Sequence, residues 1–468
     1  MSLTSFQFIG IFFIYMIIYF FSNKNMRKGL LIIANILFCL SFSNNGIFYL
    51  GGLILYTYWM GKHIYKNKNK KSFITAILIV VLGLFLAKYL IFAFDLLRVE
   101  VTFNLIVPIG ISFYTFKIIS FLVDLYQGKI QEFPKLMDYI IYVSFFPQLA
   151  SGPIQRPNPF FADLDNISHE LSYDELKTGF ITFMFGIFEK MVIANRLAFL
   201  VNQIYGNVAS FNSLEIIIAM VAYSFQLYCD FDAYSNMAIG LGRMMGFSTM
   251  RNFHTPYLAK NMQDFWRRWH ISMSSWFRDY VYIPLGGNRT HHKYRNVFIV
   301  SIVSGLWHGA SFNFVIWGLM HGFAQYVSGE FHELVTTKIK VKSKFVSFIG
   351  TMISILLTFT TVTILWLFFR LSSAAEINEV FRGLLQFNFS INYDLLGITR
   401  GQFIVTVLFV ILVIAVDLFR NYANGIASFK KWPLACRWFV YLSLVILFIL
   451  FAMYGGGYHP EDFIYIQF

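Results

Sequence analysis

Apolar runs of near-spanning length follow one another through this sequence with short loops between them. They lie near 4–22, 29–43, 46–61, 73–97, 103–126, 136–150, 176–204, 213–230, 296–326, 345–370, 402–419 and 436–454. A run of about 20 apolar residues crosses the bilayer as a helix, and only helices and closed barrels satisfy every backbone group there. The pattern therefore predicts an all-α polytopic membrane protein with about eleven or twelve transmembrane helices. Composition agrees, at 57% hydrophobic and 13% charged, which is outside the range of soluble globular chains. Two polar stretches, Gly152 to Leu176 and Ser372 to Gln402, are too short for independent domains. Residues 1–468 read as one integral membrane domain. Pro153, Pro157 and Pro159 are expected to exclude helix from the first stretch. The Gly-rich piece 232–247 reads as too polar to span.

The net charge of +13 would suggest nucleic acid in a soluble protein. Here no basic segment is long enough outside the membrane, which excludes that class. The excess reads as the positive-inside signal and as attraction to anionic membrane lipid. Lys24, Arg27 and Lys28 follow the first run, and Lys62, Lys66, Lys68, Lys70 and Lys71 follow the third. Both loops are expected to be cytoplasmic headgroup anchors, with the N-terminus extracytoplasmic. The Lys338 to Lys344 run and the Lys430–Lys431 pair follow the same reading. Phe6 to Phe21 lacks a basic flank before it and reads as a first span rather than a signal peptide. Cys39, Cys229 and Cys436 are an odd, scattered set, so no disulfide framework is indicated.

Ionisable residues at membrane depth are costly and are therefore functional candidates. They concentrate between Asp264 and His308. As one helix, Asp264 to Arg278 places Arg267, His270, Ser274 and Arg278 on one face, and Trp266, Trp269, Met273, Trp276 and Phe277 on the other. Asp264 and Arg268 are spaced to pair. Two readings stand side by side. The segment is an interfacial amphipathic helix with snorkelling arginines, or a re-entrant helix whose basic face meets phosphates or a pantetheine arm. Pro284 and Gly286–Gly287 then turn the chain into a basic loop with Arg289, His291, His292, Lys293 and Arg295.

The apolar run 296–326 is read as one helix interrupted by His308. Ser301, Gly305 and Gly309 form a small-residue face that allows close approach. On a single helix His321 would sit about 220° around from His308, so the two would not share a metal. No HExxH occurs, and no metal site is expected. His308 is either a histidine bonding a neighbouring backbone or a general base for a hydroxyl attacking a thioester. No GxSxG elbow signals a serine triad.

FWRRWHISMSSWFRDYVYIPLGGNR (Phe265–Arg289) followed by SGLWHGASFNFVIWGLMHG (Ser304–Gly322) resembles the membrane-bound O-acyltransferase (MBOAT) family, in its alginate O-acetyltransferase branch. Supporting matches run in the family's order: PIGISFYTFKIISFLVDLYQG (Pro108–Gly128), FFPQLASGPIQRP (Phe145–Pro157), YCDFDAYSNMAIGLGRMMGF (Tyr228–Phe247) and FIYIQF (Phe463–Phe468). The resemblance implies helices around a transmembrane tunnel, with a catalytic core near 103–326. The family's invariant histidine maps to His308, as base on the acceptor hydroxyl, and its second histidine to His270, orienting the donor or stabilising charge on its carbonyl. Arg267, Arg268, Arg278 and Ser274 become donor-binding candidates, and Trp307, Gly305 and Asp230 tunnel-lining candidates. The implied reaction moves an acyl group, with acetyl favoured, from acetyl-CoA or a carrier-protein phosphopantetheine thioester to a cell-surface glycan. An extracytoplasmic esterase-like partner is implied, and no bound cofactor. D-alanyl transfer to teichoic acid is the alternative within the family, and a glycan or ion transporter the alternative outside it. Where similar proteins read DFSGYSDMAIG this chain reads DFDAYSNMAIG, keeping Asp230 and differing at Asp232, Ala233 and Asn236.

Overall fold

The computed structural model describes residues 2–97, 107–168, 170–289, 292–338, 343–422, 425–453 and 463–464. The start of the expected 103–126 span, His291, most of the Lys338 to Lys344 run and all but two residues of the closing FIYIQF lie outside them. Among the described residues every regular element is helical.

The first four helices are α1 (Phe6–Phe20), α2 (Lys24–Leu40), α3 (Asn44–Asn67) and α4 (Lys70–Leu96). Ser5, Asn23 and Ser43 cap the first three, each side chain accepting from a first-turn amide. The basic residues expected in a loop after α1 lie in α2 and are more than headgroup anchors. Arg27 is buried and donates to the Ile167 carbonyl at 2.6 Å, and Lys28 pairs with Asp138. A guanidinium placed there ties α1 and α2 to the loop after the prolines.

Next come α5 (Ile111–Tyr126), α6 (Leu136–Ser144), α7 (Phe146–Leu149) and α8 (Pro157–Asp165). The expected run 136–150 breaks at Phe145, where Asn35 Oδ1 takes the Phe146 amide at 2.9 Å. The prolines do not exclude helix: α8 starts on Pro157 with Pro159 still in its first turn, where no intrahelical N–H bond is due.

Helices α9 (Tyr173–Phe188) and α10 (Asn195–Tyr205) are joined by a π-helical turn, Glu189–Ala194. They pack on α11 (Ser213–Met244). The segment 232–247, expected to be too polar to span, continues this one 32-residue helix almost to its end. Its glycine face explains why. A Cβ on Gly240 would stand 2.6 Å from the Gly179 carbonyl oxygen, and one on Gly186 would stand 2.6 Å from that of Ala233. The backbones of α9 and α11 therefore lie in direct contact.

The segment Asp264 to Arg278 is two short helices, α12 (Met262–Arg268) and α13 (Ile271–Phe277), with a π-helical turn over Arg278–Tyr282. The run 296–326 is likewise two helices, α14 (Lys293–His308) and α15 (Phe312–Lys338), packed antiparallel. The chain closes with α16 (Lys344–Leu365), α17 (Leu367–Arg370), α18 (Ala374–Leu384), α19 (Arg400–Tyr422), α20 (Gly425–Lys430) and α21 (Leu434–Phe451). Five of the described helices are long and apolar enough to cross a membrane, and Phe6–Phe20 is a shorter apolar one. Within its apolar window α11 is 78% buried and α21 0% buried, so α11 is an inner post and α21 faces outward.

Candidate active site

His270 sits at the break between α12 and α13. Its backbone is left-handed, at φ 43°, and its side chain is fully buried. A non-glycine residue held there costs about 1–3 kcal/mol and needs support from its surroundings. Asn252 supplies it. Its carbonyl accepts from the Ile271 amide at 2.8 Å, its Oδ1 from the Ser272 hydroxyl at 2.6 Å, and its Nδ2 donates to Ser235 of α11 at 2.8 Å. The break turns the imidazole onto Phe231, 4.6 Å between ring centroids, and toward Trp307 at 6.0 Å. The single amphipathic helix expected over this segment is thereby corrected. A uniform helix would have put His270 on the same face as Arg267 and Arg278, and the kink sends it inward instead.

His308 is the last residue of α14 and is 3% exposed. Its ring meets those of Trp317 and Phe369, each at 5.1 Å and nearly perpendicular. The neighbouring Trp307 stacks on Phe116 at 5.1 Å, and Phe116 stacks on Trp276 at 3.9 Å, so three rings tie α14, α5 and α13 together. Lys88 of α4 donates to the Trp307 carbonyl at 3.2 Å, the His308 carbonyl at 3.4 Å and the Ser112 hydroxyl at 3.0 Å. An ammonium on the last carbonyls of a helix both satisfies them and opposes the helix dipole. Helical patterning does not single out Lys88, and its only signal in the sequence is being the one lysine inside the apolar run 73–97.

A cavity of about 270 Å³ lies between the α12–α13 segment and the α14–α15 pair. Arg267, Arg278 and Ser274 line it from one side, with Trp266 and Phe277. Both arginines are exposed, and Arg278 donates to Asp279 at 2.8 Å. Arg268 does not line it. It bonds Asp264 at 2.9 Å, Thr255 at 2.9 Å and Asn421 of α19 at 3.0 Å, so the expected Asp264–Arg268 pair forms. From the other side α14 contributes Val297, Val300, Ser301 and Ser304, and α15 contributes Trp317, His321 and Gln325. The α14 positions form one stripe at three- and four-residue spacing, and the next position in that stripe is His308. Neither His308 nor His270 lines the cavity, but the His308 ring meets that of Trp317, which does.

The three tunnel-lining candidates also lie away from this cavity. Gly305 faces α15, where a Cβ would stand 2.2 Å from the Phe314 carbonyl oxygen. Trp307 belongs to the ring stack. Asp230 pairs with Lys190 at 2.6 Å and accepts from the Ile464 amide at 2.8 Å. The separation assigned to His308 and His321 on a single helix is also corrected. They occupy two helices and approach the same indole, Trp317, at 5.1 and 4.5 Å. The departure at Asp232 and Asn236 has a local explanation: Asp232 meets Arg420 at 3.6 Å, and Asn236 donates to buried Glu189 at 2.7 Å.

The profile of the membrane-bound O-acyltransferase family matches residues 125–373, more than half of the chain, and both histidines fall within the match. The chain belongs to the membrane-bound O-acyltransferase family. It is 38% identical to "Probable alginate O-acetylase AlgI" of Pseudomonas aeruginosa over 65% of this chain and 61% of that one. It is 36% identical to "Peptidoglycan O-acetyltransferase" of Helicobacter pylori over 61% of this chain and 58% of that one. It is 30% identical to "Teichoic acid D-alanyltransferase" of Bacillus subtilis over 68% of this chain and 85% of that one. The chain thus spans less than two thirds of the length of the first two relatives.

Proposed function

We propose that this MBOAT chain is a membrane O-acyltransferase that moves a short acyl group, acetyl, from a cytoplasmic thioester to hydroxyls of an exported or cell-surface polysaccharide. The observation that carries this is the cavity along α14, with Arg267 and Arg278 at exposed positions and a buried imidazole, His308, next in the same helical stripe. Guanidiniums suit the phosphates of acetyl-CoA or of a carrier-protein phosphopantetheine. The basic residues Lys293 and Arg295, in the first turn of α14, precede its cavity-lining part and support a cytoplasmic mouth. The same rule supports residence in the cytoplasmic membrane with an extracytoplasmic N-terminus.

In this reading the acceptor hydroxyl reaches His308 from the opposite side of the bilayer. A ring nitrogen of His308 takes the hydroxyl proton as the oxygen attacks the thioester carbonyl carbon. The carbon–sulfur bond then breaks, and the leaving thiolate takes the proton back from the imidazolium. His270, whose ring lies 6.0 Å from that of Trp307, orients the donor or stabilises charge on its carbonyl. The acceptor hydroxyl belongs either to the glycan itself or to an extracytoplasmic esterase-like protein, which then passes the acyl group from its own ester to a glycan hydroxyl. The likeness to a teichoic acid D-alanyltransferase supports one second reading, D-alanyl transfer from a carrier protein.

The test is ester-linked acetate on cell-surface polymer in cells carrying His308→Ala at wild-type membrane abundance. Loss of the ester is the expected result. An undiminished ester rejects the mechanism, and loss of ester-linked alanine in place of acetate selects the second reading.

A further inference from the structure

His321 is 1% exposed, yet it lines the cavity, and neither of its ring nitrogens has a hydrogen-bond partner among the described residues. Its surroundings are almost wholly aromatic. Trp317 lies at 4.5 Å, Trp266 at 5.1 Å, Trp366 at 5.9 Å and Phe265 at 6.5 Å between centroids. Four rings from α12, α15 and the α16–α17 junction fix the plane of the imidazole without satisfying it. A buried polar group left without a partner is destabilising, and an apolar ring of the same shape would fit this box without that cost. The position therefore carries a histidine for something that enters the cavity.

A neutral imidazole offers one N–H donor and one acceptor nitrogen on opposite edges. That pair matches a secondary amide, which presents a carbonyl and an N–H. A ligand of linked amides ending in a thioester has this chemistry along its whole length. The α15 stripe Gln325, His321, Trp317 runs inward toward His308 at four-residue spacing, so His321 stands midway along the path such an arm would follow.

We propose that His321 binds the amide-bearing arm of the acyl donor, a pantetheine-type thioester, and thereby sets how deep the reacting carbonyl reaches. This rests on the reading of the cavity as the donor site. The arm is common to coenzyme A and to carrier proteins, and the arginines address only the phosphates beyond it.

The experiment uses the full chain in lipid nanodiscs and two probes, S-acetylpantetheine, which has the arm alone, and acetyl-CoA. His321→Phe fills the aromatic box, and His321→Gln keeps a donor and an acceptor. His321→Phe is expected to weaken both probes by roughly five- to tenfold, with the melting temperature held or raised. His321→Gln is expected to recover most of the affinity. Wild-type affinity for both probes in His321→Phe would overturn the proposal and leave the ring as packing. A lowered melting temperature in both variants with unchanged affinity would overturn it in the same way. If the wild-type chain binds neither probe, the donor reading of the cavity falls, and this inference with it. A loss confined to acetyl-CoA would place His321 with the phosphates rather than the arm and would also overturn it.

Discussion

Lys88 reaches across from α4 to the carbonyl of His308, 220 positions further along the chain, at 3.4 Å. The same ammonium holds the Trp307 carbonyl and the Ser112 hydroxyl, so α4, α5 and the end of α14 meet at one charge. The imidazole is thus anchored through its own backbone, independently of the rings around its side chain.

Lys88→Met is expected to lower acyl transfer by about tenfold, the effect of losing one charge-assisted cap. Membrane abundance should change little, because the α14–α15 contact remains. Surface ester acetate normalised to the amount of protein measures this, and Lys88→Arg should recover part of the activity.

Gly305 and Gly318 set the distance between α14 and α15. A Cβ at Gly318 would stand 2.4 Å from the Ser301 carbonyl oxygen, and one at Gly305 closer still to that of Phe314. Backbone cannot yield as a flexible side chain can, so Gly305→Ala should cost about 1–3 kcal/mol. Thermal unfolding in nanodiscs measures it. Gly10→Ala, with nothing within 4 Å, is the control and should stay within roughly 0.5 kcal/mol.

Asn236 donates to Glu189 inside the protein. Asn236→Asp would set two carboxylates at that distance, and an uncompensated buried charge costs about 3–5 kcal/mol. Asn236→Ala should cost less, about 1 kcal/mol for one hydrogen bond. The order of the two melting temperatures checks the assignment. A stable Asn236→Asp protein would show that the two facing carboxyls share a proton there.

Arg267 and Arg268 are neighbours in sequence with different expected phenotypes. Arg268→Ala removes bonds to Asp264, Thr255 and Asn421 and should cost about 1–3 kcal/mol of stability. Arg267→Ala combined with Arg278→Ala should leave stability within roughly 0.5 kcal/mol. It should weaken acetyl-CoA binding about fivefold, less at high salt, because both groups are exposed. Binding titrations at two ionic strengths separate the two cases.

The fold class was legible because apolar runs of this length have few backbone solutions in lipid. The helix breaks were not. Nothing local marks His270 as left-handed; the bonds that hold it there come from Asn252, distant in sequence. Gly309 after His308 was a signal for a helix end that the small-residue pattern masked. The 232–247 segment looked too polar for a span because its partners, Glu189 and Arg420, lie elsewhere in the chain.

The sequence by itself determined that the chain is helical and membrane-bound, and that arginines, histidines and tryptophans alternate between Asp264 and His308. Its periodicity settles these because local spacing decides which residues a helix can bury. Only the tertiary structure decided which histidine faces which wall, that Arg268 is a tie and Arg267 a cavity residue, and that His321 joins the cavity. Those outcomes depend on kinks and close helix contacts held by residues far apart in the chain, and no repeat along the sequence encodes where such contacts fall.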